Sequence, residues 1–420
     1  MLYERWCHIA SKQPHDVALR DIASGRQWTF GELRAAGETY DCGDGEMVHP
    51  QGHAPEFIFM LLAAWRTGKI ACPIEPDQIP PKLPPIPKSC AHLKTTSATT
   101  GAARCVAFTE GQLAADVDNI VATMGLRPDW PNFGVISMAH SYGFSNLVLP
   151  LLLHGIPLIL VRSPLPEAVR SAAANEKAVT IAGVPAMWRA WHNADSIPTS
   201  VKLAISAGAP LPLALEQEVF TKHGLKIHNF YGSTECGGIA YDMSKTPRDD
   251  EACAGSPIQN VNLSVNERKC LVVRSSAVGQ SYWPSPSEML ADRRFETTDL
   301  AEIKDGLVFL RGRASDLINV AGRKVSPMTI EFELIQHPAV AACLVFGVPD
   351  SEAERGDRIV ACVVEASSVT RDALKQFMLE RVPAWQIPRD WWFVKSLLPN
   401  RVGKVSRVEW RAKFIQEQSK

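Results

Sequence analysis

Residues 227–238 read IHNFYGSTECGG. The first half, β-branched and aromatic, predicts a strand; Gly232-Ser233-Thr234-Glu235 then predicts a polar turn. In an open α/β sheet, ligand groups sit where strands stop, on small, polar or acidic residues. Two earlier stretches stop the same way. Asn132 to Met138, NFGVISM, ends in Ala139-His140-Ser141-Tyr142-Gly143, and Leu203 to Pro212, LAISAGAPLP, turns at Gly208. Val179 to Trp188 is strand then helix, and Leu147 to Val161 is helix, a turn at His154-Gly155, then strand. This alternation across residues 100–240 predicts a mostly parallel sheet with both faces covered. The strand ends at 139–143, 206–210 and 231–235 then converge on one crevice.

Bulk properties narrow the function. With 420 residues, the chain is long enough for two to three domains. Hydrophobic residues make up 46% and charged residues 21%, the balance of a globular protein rather than a disordered one. A formal net charge of −1 provides no basic excess for a phosphate backbone, which argues against nucleic acid. The ten cysteines include no CxxC pair, so zinc ribbons and thioredoxin-like motifs are excluded. Scattered in this way they read as buried, reduced thiols, and a cytoplasmic location is expected. MLYERWCHIASK lacks the apolar core of a signal peptide. The apolar run Leu147 to Val161, broken by Pro150, Gly155 and Pro157, is too short for a membrane span and reads as core.

Toward the N-terminus, Thr29 and Glu32 predict a capping box opening a short helix, and Phe57 to Trp65 predicts a buried helix with a glycine stop at Gly68. PDQIPPKLPPIPK, residues 76–88, is an extended connector. Lys94 to Arg104, KTTSATTGAAR, combines hydroxyls, a glycine and a cation. It suits a phosphate as well as a plain polar loop, and it is not a Walker A loop.

Toward the C-terminus, residues 255–312 predict short antiparallel strands, with Asp305-Gly306 as a hairpin turn. Within Phe295 to Pro327, the polar residues Asp299, Arg313 and Asp316 exceed what a hairpin needs, suggesting a joint between domains with ligand-touching residues. Val340 to Val348 and Arg358 to Glu365 predict strands, and Ser368 to Val382 a helix, giving a small closing α+β domain. Taken alone, Gly403-Lys404 is an ordinary solvated turn and His140 an ordinary structural histidine.

In order, these segments resemble the adenylate-forming superfamily: acyl- and aryl-CoA ligases, peptide-synthetase adenylation domains and luciferases. The resemblance runs from about residue 94 to 407. Its carriers are Thr96-Ser97-Ala98-Thr99-Thr100-Gly101, Ala139-His140-Ser141-Tyr142-Gly143, Ser206-Ala207-Gly208-Ala209-Pro210-Leu211, Tyr231-Gly232-Ser233-Thr234-Glu235, Thr298-Asp299-Leu300, Gly312-Arg313, Gly322 to Pro327, and Gly403-Lys404. It implies an α/β N-terminal domain over 1–313, with mostly parallel covered sheets and a smaller antiparallel region, and a small mobile α+β domain over 314–420. It also implies two half-reactions. A carboxylic acid and ATP form an acyl-adenylate and pyrophosphate; a thiol, from CoA or a carrier-protein phosphopantetheine, then displaces AMP.

The resemblance implies roles residue by residue. Thr96, Ser97, Thr99, Thr100 and Gly101 would hold the β- and γ-phosphates. Gly208, Ala209, Pro210, Tyr231, Gly232 and Ser233 would border the adenine, with Tyr231 stacked on it. Thr234 would bond the α-phosphate, Glu235 would hold Mg²⁺, and Asp299 and Arg313 would hold the ribose. Lys404 would bridge carboxylate and α-phosphate. Gly322 would serve the thiol stage. His140 with Tyr142, Phe144, Val184, Gly208 and Gly237 would form an apolar or aromatic acyl pocket.

The chain departs from the pattern at Ala98, Ala103, Arg104, Glu110, Thr298 and at Ser315, the hinge position. The part before residue 94 is also shorter than usual. Amino-acid-activating members carry an aspartate where this chain has Ala139-His140, which implies an acid without an α-amino group. The remaining alternatives are another fate for the adenylate and a weakened, ligand-binding scaffold.

Overall fold

A computed structural model of the chain describes residues 1–81, 86, 89–96, 104–350, 356–397 and 405–418. The chain divides into two compact units. The first comprises Met1–Ser264, Val272–Glu296 and Lys304–Val308; the second comprises Val265–Leu271, Thr297–Ile303 and Phe309–Lys420.

In the first unit, parallel pairings join Val17–Asp21, Leu158–Leu160, Asn132–Gly134, Val179–Gly183, Val201–Ser206 and Ile227–Ser233 in that order across the sheet. Antiparallel neighbours flank this run: Arg26–Thr29 on one side, Gly237–Tyr241 and then Cys253–Pro257 on the other. The central strands are buried along their length, as apolar runs such as VTIAG require when both faces are covered. A second sheet orders Ser281–Trp283, Cys105–Phe108, His92–Thr95, Ile70–Ala71 and Met47–Val48. The capping box at Thr29 and Glu32 is formed, and Gly68 ends the helix Pro55–Thr67 in the left-handed conformation. The ten cysteines are free thiols.

The strand expected over Asn132 to Met138 stops at Gly134. Ser137 bends away: its hydroxyl bonds Glu75 and accepts the Ala139 N–H at 3.2 Å, a local alternative to the sheet ladder. The helix after His140 contains a wide π-turn, Phe144–Val148, before Leu149–His154. Pro150 has no N–H to offer Asn146 one turn back. The side chain of Asn132 donates to that carbonyl instead, at 3.0 Å.

In the second unit, Val340–Pro349 pairs antiparallel with Asp357–Glu365, which pairs parallel with Asp390–Phe393. Alternation sorts the faces: Val345 packs with Ile330, Leu334, Leu374 and Met378, while Leu344 and Phe346 pack with Trp410 and Phe414. The helices Pro327–Leu334 and Arg371–Leu379 therefore cover one face and Arg407–Gln418 the other. Asp305 and Gly306 both have positive φ, 52° and 76°, as the predicted two-residue turn between Arg294–Lys304 and Leu307–Arg313 demands.

Candidate active site

The turn that follows Ile227–Ser233 holds the candidate site of the first unit. Ser233 pairs with Gly237 across the antiparallel ladder, so Thr234, Glu235 and Cys236 form a tight loop. The Ser233 hydroxyl accepts the Glu235 N–H at 3.2 Å. Gly237 has φ of 68°, and a Cβ there would fall 1.9 Å from an Asp116 carboxylate oxygen, so only glycine fits.

Glu235 is held from a direction that sequence reasoning missed. The Gly279 N–H donates to its backbone carbonyl at 2.8 Å, and the Tyr282 hydroxyl donates to Oε1 at 3.0 Å. Tyr282 lies opposite Val106 in the pairing of Ser281–Trp283 with Cys105–Phe108. Burial first, and the Glu235 charge second, push the Tyr282 phenol upward, so it stays a donor. The Arg104 guanidinium lies 5.9 Å from the Tyr282 ring. Thr96 bonds the Arg104 carbonyl through its N–H at 2.8 Å and its hydroxyl at 3.0 Å. Thr96 and Arg104 thus close the base of the hydroxyl-rich loop; Ser97, Thr99, Thr100 and Gly101 lie outside the described residues, as does Lys404. No signal in SYWP singled out Tyr282: its role depends on strand pairing.

His140 faces Glu75 across 3.2 Å, and the Ser137 hydroxyl bonds the same carboxylate. The six expected pocket residues divide. The Tyr142 hydroxyl reaches the Gly183 carbonyl at 3.3 Å, its ring lies 6.1 Å from that of Phe230, and Gly208 lies against Val184. Phe144 and Gly237 lie instead on a polar group. The Phe144 ring lies against that of His92, centroids 4.3 Å apart and planes tilted by 31°, and Gly237 abuts Asp116. Asp116 accepts the Gly238 N–H at 3.1 Å and the Ser145 hydroxyl at 2.6 Å; Lys94 donates to Ser145 at 3.2 Å and lies 3.7 Å from Asp116.

Gly208, Ala209 and Pro210 form the loop after Val201–Ser206, while Tyr231, Gly232 and Ser233 end the neighbouring parallel strand. In the second unit, Arg313 Nε donates to Asp299 Oδ1 at 2.9 Å, so the structure pairs these two predicted residues. Gly322 turns the hairpin of Ile318–Val320 and Arg323–Val325. Ser315 donates to Asp316 at 3.0 Å.

For Mg²⁺, the donor chemistry fits at Glu235. Its carboxylate is half-buried, one oxygen is fixed by Tyr282, and among the described residues the other accepts no hydrogen bond. A hard cation bound mainly by phosphates and water needs one or two protein carboxylates. Among the described residues, no cluster of three or more His, Cys, Asp or Glu side chains forms a self-sufficient metal cage. No helix among them is long and apolar enough to cross a membrane.

Fold and site together define an adenylate-forming ligase, a class that joins acids to thiols with release of AMP. The chain belongs to the AMP-binding enzyme family: the family's main profile matches residues 75–286, and the profile of its C-terminal domain matches 329–404. It is 28% identical over 398 residues to a feruloyl-CoA synthase of Amycolatopsis sp, covering 89% of this chain and 80% of that protein. It is also 28% identical over 335 residues to a 2-succinylbenzoate–CoA ligase of Bacillus cytotoxicus, covering 75% and 68%. Among solved structures, ATP-bound MatB from Rhodopseudomonas palustris superposes with a TM-score of 0.85 at 19% identity, covering 99% of both chains. That likeness establishes the fold.

Proposed function

We propose that this chain activates a carboxylic acid lacking an α-amino group with ATP and Mg²⁺ and transfers the acyl group to CoA. The observation that carries the reading is the Glu235 clamp: a half-buried carboxylate at a parallel-strand end, oriented by Tyr282 beside the base of the hydroxyl-rich loop. Glu235 would hold Mg²⁺, which supplies charge neutralisation on the triphosphate. Thr234 donates to the α-phosphate, and the loop from Thr96 to Gly101 holds the β- and γ-phosphates. Tyr231, with the Gly208-Ala209-Pro210 turn, receives the adenine. Asp299 accepts from the ribose hydroxyls while Arg313 holds its orientation, a division that their 2.9 Å contact supports.

The chemistry needs cations because carboxylate and triphosphate repel each other. Lys404 is the charge assigned to that gap. The attacking carboxylate oxygen bonds to the α-phosphorus and pyrophosphate leaves. The CoA thiol, losing its proton, then attacks the acyl carbon and AMP leaves. We assign Lys404 to a C-terminal mobile domain over 314–420 that removes it after the first step and brings the Gly322 hairpin to the thiol.

Two observations support the substrate class. The segment after Ala139 supplies no acid to pair an ammonium. Glu75, which reaches His140 from elsewhere in the chain, is engaged by Ser137 and His140. The named CoA ligases among the relatives support CoA as acceptor; a carrier-protein pantetheine would present the same thiol. The test is Lys404→Ala. Acid-dependent ATP–pyrophosphate exchange should fall by roughly 10²–10³-fold, the scale of removing one transition-state charge contact. Thioester formation from a preformed adenylate should survive better. Undiminished exchange, or equal loss of both steps, contradicts the role.

A further inference from the structure

The polar group behind Phe144 and Gly237 is used by none of the steps above. Lys94 is 3% exposed and His92 1%. Among the described residues the lysine, with three donors, makes one hydrogen bond, to Ser145; its carboxylate partner stands 3.7 Å off, and the rings of Phe108 and Phe144 supply weaker contacts at 4.7 and 5.9 Å. Both ring nitrogens of His92 lack a hydrogen-bond partner among the described residues. One helical turn beyond Asp116, the amide nitrogen of Asn119 lacks one too, although its oxygen accepts from Asn260 at 3.0 Å. Buried polar groups are almost always satisfied, so a cluster of unsatisfied ones signals a ligand group still to be received. Its position is informative. It lies against two of the residues assigned to the acyl pocket, Phe144 and Gly237, with the glycine placing no side chain over Asp116.

We infer that Lys94, His92, Ser145 and Asn119 form a recognition floor for a neutral oxygen group, a hydroxyl, ether or keto function, carried by the acid remote from its carboxylate. This rests on the adenylation reading and names the substrate class within it. Charge decides between kinds of oxygen. Lys94 and Asp116 cancel. Burial, with the Lys94 charge added, pushes the His92 imidazole well below its usual range, so it is neutral. A second carboxylate would bring one uncompensated charge into this interior, whereas a neutral oxygen takes the free donors at no such cost. A plain hydrocarbon end leaves the His92 and Asn119 donors unpaired.

Matched acids test the inference: cinnamate, 4-hydroxycinnamate and 4-carboxycinnamate, with decanoate and 10-hydroxydecanoate in case the aliphatic skeleton is the one accepted. Two readouts are used: acid-dependent pyrophosphate release, and calorimetric affinity for the matching non-hydrolysable acyl-sulfamoyl adenosines. On the accepted skeleton the hydroxylated member should lead its parent by about 10–100-fold in kcat/KM, with a similar order in affinity. The doubly substituted Lys94→Met/Asp116→Asn protein should lose that preference to within about twofold, while KM for ATP stays unchanged. If that protein does not fold, Ser145→Ala should still narrow the preference. Preference for the plain or dicarboxylic acid, or a folded double variant that keeps the wild-type order, overturns the inference and leaves adenylation standing. Absence of pyrophosphate release with every acid and of binding to every analogue overturns both.

Discussion

Two buried charge clusters in the first unit have the same net charge and different fates. In one, Lys226 donates to Asp242 at 2.6 Å, to the Ile227 carbonyl at 3.1 Å, and to Glu216. Arg248 donates to Glu216 at 2.9 Å and to the Leu211 and Cys253 carbonyls at 2.6 and 2.8 Å. Both cations are held by direct hydrogen bonds. In the other, among the described residues, Lys94 makes one hydrogen bond and stands off its aspartate, with His92 unsatisfied beside it. The first cluster ties the helix Leu213–His223 to the loops around the sheet and has nothing left to offer a ligand. The second has donors to spare and adjoins residues of the candidate pocket. Buried charge alone marks neither structure nor function; the count of unmet hydrogen bonds separates them.

The two clusters should differ most in what their loss does to stability. Lys226→Met leaves Glu216 short of a partner and Asp242 unpaired in the interior, and should cost about 3–5 kcal/mol in denaturant unfolding. A loss below about 1 kcal/mol would show that the network is not the structural member of the pair. Next in size is Tyr282→Phe, which removes one hydrogen bond to a charged group, about 1.5–3 kcal/mol. It should weaken Mn²⁺ binding to the ATP-loaded protein at least tenfold by electron paramagnetic resonance. Unchanged Mn²⁺ affinity would release Glu235 from its metal role. The Lys94→Met/Asp116→Asn protein should be as stable as the parent to within about 1 kcal/mol, since removing a loosely met buried pair together strands no charge. A loss as large as that of Lys226→Met would make the two clusters alike.

The smallest effect belongs to a third, more exposed pair of contacts. Asp118 accepts from Arg5 at 2.6 Å and faces His154 at 2.8 Å. Burial raises its carboxyl, but the bonds from His154 and Arg5 outweigh that and hold it down to about 2. A carboxyl depressed on folding stabilises the protein above its unfolded pKa, ~3.9, and loses that contribution as pH falls through the folded value. Asp118→Asn should therefore lower stability slightly at pH 7, where the half-exposed contacts contribute in full, and flatten the stability profile between about pH 4 and pH 2, so that the variant and the parent converge in acid. An unaltered acid limb would contradict the contact.

Much of the fold was legible because local chemistry and tertiary demand agree. Thr29 and Glu32 cap a helix wherever that helix sits, Gly68 ends one, and Asp305-Gly306 turns a hairpin by its own φ preferences. The run of parallel strands was legible from apolar stretches ending in glycine and polar residues. The Asn132 strand was read too long, because the bond from Ser137 to Glu75 joins residues far apart in sequence. Of the candidate site, Thr234, Glu235, Asp299 and Arg313 could be proposed from the sequence because they stand in short, distinctive strings. Tyr282, Asp116, Ser145 and Glu75 were not, since each acts through a partner brought close by strand pairing or helix packing. Lys94 was in view as the first residue of a polar loop. Nothing in KTTSATTGAAR distinguishes a buried cation from a solvated one.

The Glu235 turn, the loop based on Thr96 and Arg104, and Lys404 are together proposed to serve attack of a carboxylate on the α-phosphorus of ATP. The most direct measurement identifies the nucleotide products when the protein is mixed with ATP, Mg²⁺, CoA and the hydroxylated acids. AMP and pyrophosphate are expected in equal amounts, dependent on acid, with one thioester formed per AMP. ADP and phosphate as products, or AMP formed at the same rate without any acid, would contradict it.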